Sequence, residues 1–178
     1  MYLRMYWKLT ILELISALAA LVFFAPAIRA TFARNGVTVL ERSDHRAVVE
    51  LVLPSYQIET RQGTSSYSTI AVDAPGWTTW RDAQTASVSL PVLVYRLPAA
   101  ANAVRADLRI VEQETENQRL AYPLSIDGTE DVSGANVRAY VDTSGGSPTI
   151  LIQWSPFDYI ADSRQLLVQR RVKIQIEN

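Results

Sequence analysis

Apolar residues in this chain recur at every second position, a period that a β-sheet buries on one face and an α-helix does not. Near the C-terminus Val168, Val172, Ile174 and Ile176 share one parity, and Gln169, Arg171, Lys173, Gln175 and Glu177 share the other. The pattern predicts a strand over 166–176 with one buried and one wet face. Arg170 falls on the apolar parity, so a bulge or a rim position is expected there. Val104, Ala106, Leu108 and Ile110 alternate with Arg105, Asp107 and Arg109 in the same way. Shorter runs follow at 46–53, 67–72, 90–97, 137–141 and 149–154. Pro54 and Pro98 close two of them, since proline cannot donate to a ladder. Ala74-Pro75-Gly76 has the residues of a type II turn, and the connection from Thr143 to Pro148 suits a hairpin. Beyond the N-terminal leader no stretch has a helical period, so the expected fold is an all-β antiparallel sandwich.

The leader reads as an export signal. Arg4 and Lys8 precede an apolar run from Leu14 to Phe24, with Glu13 at its start, and Ala25-Pro26-Ala27 gives the small-x-small pattern of a cleavage site. The rival reading is an uncleaved anchor helix, because 9–28 is just long enough to span a membrane. Residues 1–27 are therefore expected to be a signal peptide or anchor, 28–36 a short lead-in, and 37–178 the sandwich. Either reading of the leader puts the remainder outside the cytoplasm.

Composition removes several function classes. The 178 residues carry 17 basic and 18 acidic side chains, which leaves no electrostatic footprint for nucleic acid. There is no cysteine and a single histidine, His45. A thiol protease needs a thiolate and an imidazole beside it, so this chain is not such a catalyst. Asp44-His45 lies between two strand patterns, where a polar surface turn is expected, and no Gly-x-Ser-x-Gly elbow accompanies it. The expectation is a protein that is not an enzyme and has no cofactor.

Two stretches in order carry a family resemblance. The first is Y-S-T-I-A-V-D-A-P-G-W from Tyr67, followed by S-L-P-V-L-V-Y-R-L-P-A-A-A-N-A-V-R-A-D-L-R-I to Ile110. The second is W-S-P-F-D-Y from Trp154, then R-Q-L-L-V-Q-R-R-V-K-I-Q-I to Ile176. Together they resemble the N-terminal pro-domain of gingipain-type secreted cysteine proteases, over most of 37–176. The family's Gly-x-Pro before the Leu-Pro element is replaced here by Thr85-Ala86-Ser87-Val88-Ser89. The resemblance implies a β-sandwich that docks on the protease domain, keeps it latent and assists its folding. It also implies a basic residue on a loop that blocks the specificity pocket. By position that loop is 112–122, and Arg119 is its only basic residue. Arg suits a carboxylate at the base of such a pocket; the plain alternative is a solvated arginine balancing Glu114 and Glu116. The protease domain would follow Ile176 in a longer precursor, of which this chain would be a fragment, or would be met in trans.

Other residues qualify as binding candidates. Gly76-Trp77-Thr78-Thr79-Trp80-Arg81 is expected as a loop, and its Trp77, Trp80 and Arg81 are the residue types of a hot spot. Trp77 or Trp80 would also serve a sugar-binding or adhesion sandwich, the alternative function. Tyr95, Trp154, Phe157 and Tyr159 are expected as core and edge packing. Asp127, Glu130 and Asp131 surround Gly128 as a weak calcium candidate, though one acidic loop supplies few ligands. Arg170-Arg171 lies inside a strand pattern and is taken as structural.

Overall fold

A computed structural model describes residues 35–81, 88–124, 131–133 and 136–178. In chain order the strands are β1 (Val37–Arg42), β2 (Arg46–Val52), β3 (Tyr56–Gln62), β4 (Ser66–Val72), β5 (Trp77–Arg81) and β6 (Ser89–Pro98). There follow β7 (Asp107–Arg119), β8 (Val132–Ser133), β9 (Asn136–Asp142), β10 (Thr149–Ser155), β11 (Phe157–Ile160) and β12 (Gln165–Glu177). The expected leader helix lies outside the described residues. Among those residues no helix is long and apolar enough to cross a membrane.

The alternation at the C-terminus makes β12 the spine of a six-stranded antiparallel sheet. Leu166, Val168, Val172, Ile174 and Ile176 are all fully buried, each worth about 1.5–3 kcal/mol relative to exposure. On one edge β11 pairs with 165–168, and β2 with 171–177. On the other edge β7 runs the whole length of β12. β1 lies outside β2, and β8 outside β11. Where β12 changes neighbour, its register against β7 shifts between Gln169 and Arg171. The expected bulge at Arg170 is therefore present. It lets the Gln169 N–H reach the Pro156 carbonyl, while the Arg170 carbonyl accepts from the Leu53 N–H.

A four-stranded sheet in the order β5-β6-β10-β9 faces the same core. Its Leu93, Ile152 and Trp154 share one buried cluster with Val49, Leu51, Leu166 and Ile174 of the larger sheet, a sandwich-like arrangement. β3 and β4 form a separate hairpin. The turn chemistry reads through as expected. Gly76 takes φ +83° and the Trp77 N–H bonds the Ala74 carbonyl, as a type II turn requires. Asp142 accepts from the backbone N–H and hydroxyl of Ser144 at the head of the β9–β10 hairpin. Ser43 N–H bonds the Arg46 carbonyl across the exposed Asp44-His45 turn.

Two strand boundaries differ from expectation. The strand expected from Val104 begins at Asp107, with Val104 outside it and 90% exposed. The loop expected over 112–122 is strand as far as Arg119. E-Q-E-T-E-N-Q-R has no apolar alternation because nearly every residue there is exposed, so no buried face wrote a period into the sequence. Backbone pairing to β12 holds it instead. Gln169 was grouped with the wet face of β12; it is buried, because its side-chain oxygen accepts the buried Trp154 indole N–H at 3.0 Å.

Candidate partner-binding surface

Arg119 is the last residue of β7, opposite Gln165 of β12. The chain just beyond it is firmly held. Leu120 and Leu124 are buried in the core, and the Leu120 N–H bonds the Arg164 carbonyl at 2.9 Å. Arg164, in the left-handed region at φ 52°, returns its guanidinium to the Ala121 carbonyl at 2.7 Å. From the hairpin, Ser68 gives its N–H to the Pro123 carbonyl and its hydroxyl to the Tyr122 carbonyl. A side chain on such a support is presented with little freedom in its base. The Arg119 side chain is exposed and makes no hydrogen bond or ion pair among the described residues.

It does not balance Glu114 and Glu116. Strand alternation puts those carboxylates on the opposite face of β7, where Glu116 meets other groups. Glu116 lies 3.7 Å from the Arg170 guanidinium and accepts from the Tyr56 hydroxyl. The same hydroxyl contacts Gln118 at 3.0 Å, and Arg170 covers the Tyr56 ring at 5.6 Å. Burial first, and then Glu116, raises the pKa of Tyr56, so its phenol stays a donor. Arg171 forks onto one oxygen of Glu50, its Nε at 2.8 Å, and Lys173 reaches Glu112 at 3.4 Å. Arg170 and Arg171 are thus tied into the sheet as expected.

The tryptophan candidates stand differently from expectation. Trp77 opens β5 opposite Leu93 and is not in a loop. It is half-buried, its indole N–H donating to the Asn35 carbonyl and its ring 5.6 Å from Trp154. A loop was expected because the Pro-Gly turn precedes it directly; the turn ends at Trp77, and the alternation of T-T-W-R was too short to show a strand. Trp80 and Arg81 also lie in β5, opposite Leu90 and Ser89. Trp154, Phe157 and Tyr159 are fully buried, in keeping with packing roles, and Tyr95 packs partly buried against them.

Asp127 and Glu130 of the calcium candidate lie outside the described residues. Asp131 accepts the Ala161 N–H at 2.6 Å, a bond that fixes the turn after β11. Among the described residues no three acidic or histidine side chains are grouped to hold a metal.

No family model and no curated protein matches the sequence. Solved structures do match. A structure describing zymogenic latency of gingipain K from Porphyromonas gingivalis superposes with a TM-score of 0.63 at 10% identity, covering 82% of this chain and 93% of that one. The complex of the pro- and mature domains of RgpB from Porphyromonas gingivalis gives 0.61 at 10% identity, covering 82% and 86%. The fold is that of a gingipain-type pro-domain. At this identity the gingipain likeness is one of backbone architecture, carried by strand order and buried parity.

Proposed function

We propose that the protein is a non-catalytic pro-domain-type module that binds a gingipain-type cysteine protease domain, keeps it latent and assists its folding. The observation that carries this reading is the match over 82% of the chain to a structure of zymogenic latency and to a pro-domain in complex with its mature domain. The chain has no cysteine, so the thiol chemistry belongs to the partner, whether joined to this chain or met in trans. Both act outside the cytoplasm. Arg119 is the residue assigned to the specificity pocket. An exposed guanidinium without a partner among the described residues, at the end of a strand held by Arg164 and Ser68, suits a carboxylate there.

The test is inhibition and binding of a gingipain-type catalytic domain by the purified protein, with Arg119→Ala alongside. Inhibition by the wild type is expected, weakened in Arg119→Ala by a factor on the order of 30, the scale of a hot spot. Equal inhibition by both proteins removes the role of Arg119. No binding by a well-folded sample removes the function.

A further inference from the structure

Among the described residues β7 is hydrogen-bonded along one edge, and β9 lies near part of it without pairing. β12 takes that edge from Gln165 opposite Arg119 to Glu177 opposite Asp107. Among the described residues no strand pairs with the other edge. At 13 residues the strand is long, about 40 Å at roughly 3.3 Å per residue. It contains no proline and no lysine; what guards the edge is its row of charges and a bulge at Val111, which make it selective about the strand it accepts. Unpaired N–H and C=O groups in such a row accept another extended chain.

The side chains restrict which chain that is. Glu112, Glu114 and Glu116 stand at alternate positions, so they share a face. On the paired edge β12 meets them with Lys173, Arg171 and Arg170. The fold thus already contains one well-matched neighbour for this face, and it is basic. The match is incomplete. Arg171 is drawn to Glu50, so the Glu114 side chain opposite it feels its charge without an ion pair or hydrogen bond among the described residues. The side chain of Glu112 stays 59% exposed. Gln113, Thr115 and Asn117 on the other face are uncharged hydrogen-bonding residues. A second copy is a poor occupant. Every two-fold antiparallel register centred from Gln113 to Glu116 sets at least one of these glutamates opposite a glutamate, which is destabilising.

We propose that the outer edge of β7 is a docking site for an extended strand of a partner protein that carries Arg or Lys at alternate positions. The inference rests on the pro-domain reading only in assigning that strand to the protease domain.

The probe is a fluorescent peptide of alternating Arg and Thr, titrated into the full chain. Its controls are the same peptide N-methylated at alternate residues, a Glu-Thr peptide, and the variant E112Q/E114Q/E116Q. Saturable binding of the Arg-Thr peptide is expected, weakened about ten-fold in the variant and lost with the N-methylated and acidic peptides. Hydrogen exchange is expected to slow at β7 amides. The proposal is overturned if the folded protein does not bind the peptide, if N-methylation leaves affinity unchanged, or if protection appears elsewhere. A catalytic domain inhibited equally by wild type and variant removes the edge and keeps the pro-domain function. Peptide binding without inhibition of any catalytic domain does the reverse.

Discussion

Gly36 shows how one residue can depend on contacts its neighbours do not announce. It holds φ +80°, and a Cβ there would overlap the Val52 carbonyl oxygen, while its own carbonyl accepts the Val52 N–H. Gly36→Ala is expected to cost on the order of 3 kcal/mol, from strain plus displacement of β2; urea denaturation checks it, and an unchanged midpoint refutes it. Gln169 is a second case. Gln169→Ala leaves the Trp154 indole N–H buried without an acceptor, and about 1–3 kcal/mol of destabilisation should follow. Arg119→Ala should leave the melting temperature unchanged, because nothing in the described structure leans on that side chain. Arg119 stood out by its residue type, but the roles of Gly36 and Gln169 did not. Alternation assigned Gln169 to the wet side, and only the bulge beside it and the indole above it explain its burial.

Among the elements, the strands with a long buried parity were readable, whereas β1, β3, the short β11 and the exposed half of β7 were not, although Val37, Phe157 and Tyr159 are buried. β2, β4, β6, β10 and β12 carry alternation or unbroken apolar runs, and their limits fall near the expected ones. β7 lacks both over most of its length, so its C-terminal half resembled a loop. The β9–β10 hairpin was legible from its Gly-Gly-Ser-Pro connection, and Asp142 gives it a pH dependence. Hydrogen bonds from the Ser144 hydroxyl and N–H, and to a lesser degree the Arg96 charge, lower the Asp142 pKa. A carboxylate depressed in the folded state adds stability above its ordinary range and loses it as pH falls through the lower folded value. The melting temperatures of wild type and Asp142→Asn should therefore differ at neutral pH and converge in acid. A gap that persists unchanged in acid would show that the carboxylate charge is not responsible.

For the whole molecule, β12 is the element on which the larger sheet depends. It contacts β2, β7 and β11 and buries five aliphatic side chains completely. Its amides are expected to exchange only through global unfolding, whereas those on the outer edge of β7 should exchange fastest among the strands. Faster exchange in β12 than in β7 would contradict the topology. The all-β class, the turns and the gingipain-type resemblance were open to sequence reasoning, because burial on one face of a strand leaves a period of two and proline and glycine mark its ends. The pairing of β7 with β12, the seating of Trp77 on Trp154, and the isolation of Arg119 from its neighbouring glutamates were decided by tertiary structure alone. They depend on which residues distant in the chain meet across a sheet, and such meetings leave no local period behind.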